Sequence, residues 1–229
     1  MSDSLFASLW NLLFPRRCAG CGRWGFWLCP ACVAEIGESW SRAGGSQRGN
    51  GRSEVWRTGA VRGTSLSGLL AMAPYVPPLK PAIHQFKYRF VADVGLTLGD
   101  LLADFAKDRL PAGDLLIVPV PLHHTRLRWR GFNQSGVLAK RMASRLALPY
   151  DEAALRRVRA TDPQVNLDAA SRRGNVRGAF NCIDPNAVRG KMVIVVDDVA
   201  TTLATLDECA RVLRAAGARD VWGLVLAQG

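Results

Sequence analysis

Residues Val193–Leu206 read VIVVDDVATTLATL, and this stretch decides the fold. The run Met192–Val196 (MVIVV) is uninterrupted and β-branched, which suits a central parallel strand buried on both faces. Such a strand delivers Asp197 and Asp198 to the carboxyl edge of a parallel sheet, where α/β proteins bind their ligands. A hydroxyl-rich loop follows, made of Ala200, Thr201, Thr202, Leu203, Ala204 and Thr205, and then a helix. The threonine hydroxyls and the amides of a helix start together suit a dianionic phosphate. The two carboxylates cannot hold that phosphate. They suit the hydroxyls of a sugar beside it, or the positive charge that develops on a sugar ring as its anomeric bond breaks. A plain strand–turn–helix, with Asp and Thr as turn and cap residues, is the competing reading.

The neighbouring sequence extends the pattern. Leu206, Cys209, Ala210 and Leu213 recur at helical spacing, and Gly217 supplies a stop. Val221–Ala227 (VWGLVLA) reads as a further strand. Upstream, Leu115–Val120 (LLIVPV) is an apolar run cut off by prolines, which suits a buried strand. Gln134–Leu146 places Leu138, Met142 and Leu146 on one helical stripe. Strand and helix in alternation predict an α/β fold with a parallel sheet and right-handed crossovers.

At the other end, Cys18, Cys21, Cys29 and Cys32 form two CxxC pairs separated by seven residues. Each pair can present two thiolates to one ion, and two such knuckles close a tetrahedral four-thiolate site, the usual structural arrangement for Zn2+. An iron–sulfur cluster is the competing occupant. Gly20 and Gly22 give the first knuckle its backbone freedom, and Pro30 stiffens the second. No acidic base stands nearby, so the site reads as structural, in a ribbon too small to fold without its metal. Cys182 and Cys209 read as buried apolar residues.

These signals divide the chain into a first unit, 1–40, a linker, 41–55, and an α/β domain, 56–229. Residues 41–53 (SRAGGSQRGNGRS) contain no large apolar side chain and are expected to be flexible. Residues 5–14 (LFASLWNLLF) are apolar on one helical face; a short helix packed on the protein is expected, with a membrane-surface anchor as the alternative. The stretch is shorter than the ~20 residues a bilayer span needs, and it lacks the basic start and cleavage site of a signal peptide. With clustered cysteines, this points to the cytoplasm. Hydrophobic residues make up 48% of the 229, enough for a real core. The net charge of +11 favours anionic partners: nucleic acid, phosphorylated metabolites or an acidic membrane surface. A genome rich in arginine codons would give the same excess.

Several patches together resemble the competence protein F family of the type I phosphoribosyltransferase superfamily. They are residues 12–18 leading into the four-cysteine module, Ile83–Tyr88 (IHQFKY), Val118–Gln134 (VPVPLHHTRLRWRGFNQ) and Leu155–Phe180 (LRRVRATDPQVNLDAASRRGNVRGAF). Within the last patch the pattern falls on Arg157, Thr161, Gln164, Leu167, Arg172, Asn175, Ala179 and Phe180. Residues 193–206 are similar to the motif by which such enzymes bind phosphoribosyl pyrophosphate (PRPP). The resemblance implies a phosphoribosyltransferase-like parallel sheet with a small N-terminal zinc ribbon. It makes Asp197 and Asp198 the catalytic acids on the ribose, and the 200–205 loop the grip on the 5′-phosphate. Arg126, Arg130 and Gly131, with Arg128 beside them, would form a pyrophosphate loop, where guanidinium forks suit the ligand. His123 and His124 lie in the same loop, where an imidazole could donate. Thr161, Gln164 and Arg172 would belong to a mobile lid, and Mg2+ would bridge the diphosphate. One position departs from the family: Leu203 stands where it has glycine, so the loop must change shape or crowd its ligand.

Two functions follow from the resemblance. The first is a PRPP-binding protein that supports the uptake of single-stranded DNA in natural transformation. It would work beside competence-machinery proteins, with peripheral membrane contact left open. Basic loops and the aromatics Trp129 and Phe132, read as exposed, would contact backbone and bases. The second is an active PRPP-dependent phosphoribosyltransferase of nucleotide salvage or of an unknown acceptor; no segment reads as nucleobase recognition.

Overall fold

The computed structural model of the chain describes residues 16–43, 56–57, 61–88, 92–160 and 174–229. The apolar stretch 5–14, residues 44–55 and the lid residues Thr161, Gln164, Leu167 and Arg172 lie outside the described residues. In chain order the helices are α1 (Pro30–Ala43), α2 (Leu79–Tyr88), α3 (Ala92–Ala106), α4 (His124–Arg130), α5 (Gln134–Leu146), α6 (Pro185–Val188) and α7 (Ala204–Ala215). The strands are β1 (Trp56–Arg57), β2 (Gly68–Pro74), β3 (Leu115–Pro119), β4 (Leu155–Arg157), β5 (Phe180–Cys182), β6 (Met192–Ala200) and β7 (Asp220–Gln228). Helix α1 runs on to Ala43, so residues 41–43, expected in the linker, are helical.

The main sheet has five strands in the order β1-β2-β7-β6-β3. β2, β7, β6 and β3 run parallel, and β1 adds an antiparallel edge. This is the α/β architecture that the strand–helix alternation predicts. Successive residues of a strand face opposite sides, and β6 shows the consequence: Ile194 and Val196 enter one core, Val193 and Val195 the other. The first core lies under α1, α2, α3 and α5; the second lies under α7 and the β4–β5 hairpin. Leu206, Cys209, Ala210 and Leu213 are all buried in the second core, as their spacing predicts. Cys182, expected to be buried, is half-exposed at the end of short β5.

The four-cysteine module is continuous with the first core. Cys18, Leu28, Cys29, Cys32 and Ile36 are buried in the same cluster as Leu70, Leu102 and Phe105. Trp40 of α1 meets the ring of Phe105 of α3 edge-on, with centroids 5.9 Å apart. Gly20 shows how close the docking is: a Cβ there would fall 2.8 Å from both the Cys32 sulfur and the Pro78 side chain.

Strand lengths create the site. β3 stops where Pro119 pairs with Val196, and the Val120 amide adds one last bond to the Val196 carbonyl at 2.9 Å. β6 continues past that point, paired only with β7 through Asp197, Val199 and Ala200. The two acids therefore stand beside a gap in the sheet, at its carboxyl edge.

Candidate functional site

A cavity of about 210 Å3 opens at that gap. Its floor is Asp197, Asp198 and the whole 200–205 loop; its walls bring Lys87 from α2, Arg126 and Arg130 from α4, Gln134 from α5 and Arg157 from β4. Four cations thus face two carboxylates. The excess of positive charge in a confined cleft suits a polyanion.

The arginine segment is a two-turn helix rather than a loop, ended by Gly131 in the left-handed conformation at φ 79°. Arg126 and Arg130 are four apart, so both turn towards the cavity, while Arg128 does not line it. Gly131 acts through this cap and does not line the cavity. Phe132 is a correction to the sequence reading. It is half-buried, its ring 5.5 Å from that of Phe86, so it packs on the core; Trp129 remains exposed. His123 precedes α4 with Nδ1 2.8 Å from the Thr125 hydroxyl and its ring tilted against that of His124, centroids 4.1 Å apart; neither histidine lines the cavity.

The acids have different surroundings. Asp198 is buried and accepts a 2.8 Å ion pair from Lys87. Burial opposes the Lys87 charge, but Asp198 outweighs it and the ammonium's pKa lies above its ordinary value. Asp197 accepts hydrogen bonds from the Ser135 hydroxyl (2.8 Å) and the Asp198 amide (2.9 Å). Burial first, then the Asp198 charge, still push its carboxyl up to about 6. Arg157 lies under burial and the charge of Arg126, which together lower its pKa, and its guanidinium sits 5.3 Å from the Phe180 ring centre. Gln134 is 2% exposed, and its Oε1 accepts 2.7 Å from Arg130, fixing that guanidinium.

The sequence reading names Arg157 only as a position of the family pattern and gives Lys87 and Gln134 no role. All three stand inside the patches that carry the resemblance, which is the signal that could have found them. The described ends of the 155–180 segment are anchored: Arg159 donates to the carbonyls of Asn175 (2.9 Å) and Arg177 (2.7 Å), and the Gly178 amide donates to Glu208 of α7 at 2.7 Å.

Leu203 takes φ 61°, ψ 0°, the left-handed conformation that glycine would adopt freely, at the start of α7. Holding a leucine there costs about 1–2 kcal/mol, and its side chain packs against the second core while lining the cavity. Leu203→Gly should therefore leave the loop unchanged and open it to a closer phosphate. For the PRPP that the resemblance implies, binding about tenfold tighter, ~1.4 kcal/mol, is the expected outcome of calorimetric titration with Mg2+. Stability should change little, because relieved strain offsets lost packing and unfolded-state entropy. An unchanged or weaker affinity would mean that the leucine serves the core or another ligand.

In the four-cysteine module the sulfurs lie within 4.8 Å of one another, so they could hold a metal ion. Cys21 and Cys29 are 3.6 Å apart at sulfur. Tetrahedral bonds of about 2.3 Å to zinc would set neighbouring sulfurs about 3.8 Å apart. The first knuckle closes with the Gly22 amide on the Cys18 carbonyl (2.8 Å), and the second is the start of α1, with Pro30 as its first residue. Burial raises the Cys18 thiol, but amides from Cys21, Cys29 and Gly20 outweigh it and bring its pKa down to about 6. Burial and the neighbouring sulfurs push the Cys32 thiol the other way, so the thiols of the cluster share charge between them.

Fold and site define an α/β protein with a four-cysteine module and a cationic pocket at the ligand edge of its sheet. No family profile matches the chain. It is 38% identical over 162 residues to DNA utilization protein YhgH of Escherichia coli, covering 68% of this chain and 70% of that one. It is 34% identical over 166 residues to competence protein F of Haemophilus influenzae, covering 69% and 72%. With competence protein ComFC of Bacillus subtilis the identity is 29% over 165 residues, 70% and 63% of the two chains. Among solved structures it is similar to the allosteric regulatory enzyme of purine biosynthesis (TM-score 0.41, 24% identity, 58% of this chain and 26% of that one). It is also similar to the glutamine PRPP amidotransferase of B. subtilis (TM-score 0.40, 24% identity, 59% and 26%). The chain belongs to the competence protein F family.

Proposed function

We propose that this protein binds PRPP with Mg2+ at the carboxyl-edge pocket, carries a structural Zn2+ on its four cysteines, and supports the handling of single-stranded DNA in natural transformation. The observation that carries the reading is the pocket itself: a phosphate-type loop, two acids beside it and three arginines around them. In this reading the 200–205 loop takes the 5′-phosphate and the two acids take the ribose hydroxyls. Arg126, Arg130 and Arg157 face the diphosphate, and Gln134 holds Arg130 in line. Mg2+ would ride on the diphosphate oxygens. Lid residues Thr161, Gln164 and Arg172 would close over the ligand. The names of the relatives, DNA utilization protein and competence protein F, support the DNA part and competence-machinery partners. No helix among the described residues is long and apolar enough to cross a membrane. The place of action proposed is the cytoplasm.

Titration of the purified protein with PRPP and Mg2+, then with a single-stranded oligonucleotide, tests both halves. Failure to bind PRPP would overturn the pocket reading. The acids add a pH signature. An ionised Asp197 accepts ribose hydroxyls, so PRPP affinity should fall as pH drops through about 6. Its effect on the fold runs the other way: with the folded pKa above the unfolded one, stability is greatest below the unfolded carboxylate range and is lost as pH rises through about 6. Asp197→Asn should bind more weakly at neutral pH and flatten both profiles relative to wild type. Parallel profiles for the two proteins would remove Asp197 from the ribose site.

A further inference from the structure

We infer that single-stranded nucleic acid binds in a groove between the four-cysteine module and α2, apart from the carboxyl-edge pocket; this rests on the DNA half of the reading above. The groove encloses about 660 Å3 and no acidic residue lines it. Arg17 stands on the module side, and Tyr75, Lys80 and His84 on the other. The module exposes two large aromatics, Trp24 (52%), whose ring carries the groove's Arg17 guanidinium, and Phe26 (43%).

Cations and flat rings are interleaved here. The Arg17 guanidinium lies 3.6 Å from the Trp24 ring centre, and the Lys80 ammonium 5.5 Å from that of Tyr75. Stacking faces set among phosphate-seeking charges are what a single strand requires, since every base offers a π-face once it is unpaired. A duplex hides those faces. The platform is also held firmly. Arg17 and Trp24 pair as an antiparallel bridge, the Cys18 amide bonds the Arg23 carbonyl at 2.8 Å, and the Gly25 amide bonds the Arg16 carbonyl at 2.9 Å. The turn that carries Cys18 and Cys21 thus also carries Trp24, stacked with the groove's Arg17.

The α4 arginines are poorer candidates. Arg126 and Arg130 line the small-molecule pocket, which leaves only Arg128 and Trp129 for a polymer on a short helix with no buried residue.

The test is fluorescence anisotropy with a labelled oligo(dT), on the full chain. Replacing Arg17, Trp24 and Lys80 together by Ala should weaken binding at least about tenfold, because it removes one stacking face and two phosphate-seeking cations. The salt slope should fall by about 1.4, or ~0.7 for each cation removed. PRPP affinity and metal content should stay at wild-type values. Lys80→Glu alone, on an exposed helical turn, should weaken binding in the same direction if the triple variant does not fold. Arg126→Ala with Arg130→Ala should lose PRPP and keep most of its oligonucleotide affinity. The reverse pattern would overturn the groove, as would wild-type protein that prefers phosphatidylglycerol vesicles to the oligonucleotide. Protein that binds PRPP but no oligonucleotide at all would sink the DNA half of the proposed function and leave the pocket standing.

Discussion

PRPP binding is expected to disappear when Asp197 and Asp198 are both replaced by Ala. Each carboxylate is assigned charge-assisted bonds to a ribose hydroxyl. Losing two such bonds, at about 1.5–3 kcal/mol each, corresponds to roughly a hundredfold to ten-thousandfold weaker binding. The structure adds a second effect. Asp198 is buried against Lys87 at 2.8 Å, so its removal strands an ammonium whose side chain is only 22% exposed. Breaking a buried pair from one side costs about 3 kcal/mol, so the Ala variant is also expected to melt earlier. The two effects can be separated. Lys87→Met with Asp198→Asn removes the pair as a unit, which leaves no charge uncompensated, and should fold while still binding PRPP poorly. Asp197→Asn keeps the shape that meets Ser135 and should cost little stability. Calorimetry gives the affinity, and thermal unfolding shows whether the fold survived. Normal PRPP affinity in a folded double-Ala variant would remove both acids from the ribose site.

What the sequence disclosed was the part of the fold that is written locally. The β-branched run of β6 and the stripe on α7 each carry their own period, and the structure buries them as that period requires. Leu203, at the start of α7, was visible for a different reason: it stands where the resembled family has glycine. The rest depended on distant residues. Lys87 reaches Asp198 from another helix, and Arg157 arrives on a three-residue strand; neither spacing marks a partner. The α4 helix has no apolar stripe because it buries nothing, so HTRLRWR read as a loop. Phe132 sits between Gly131 and Asn133 in a polar stretch and read as exposed. The left-handed turn at Gly131 sends the chain back towards α5, and the ring ends on Phe86.

Loss of the metal should reach well beyond the cysteines. Cys18→Ala is expected to abolish metal binding and to destabilise the whole described fold, because the module is part of the first core. Structural zinc sites contribute about 10–16 kcal/mol of apparent binding free energy in small domains, comparable with or above the ~5–15 kcal/mol net stability of an ordinary protein. Without the metal, three buried thiol positions, Leu28 and Ile36 lose the geometry that seats them against α3 and β2. Trp40 loses its fixed place on Phe105. If only about 4 kcal/mol of this is transmitted to the α/β domain, the melting temperature should fall by about 8–16 °C. Chelation of the wild-type protein should give the same shift, and re-addition of Zn2+ should restore it. Metal analysis should find one zinc per chain in the wild type, with no visible absorption of the kind an iron–sulfur cluster would give. A stoichiometric metal in Cys18→Ala would refute the four-thiolate site. A wild-type melting curve indifferent to chelation would show that the module folds on packing alone, through contacts as close as that of Gly20 with the Pro78 side chain.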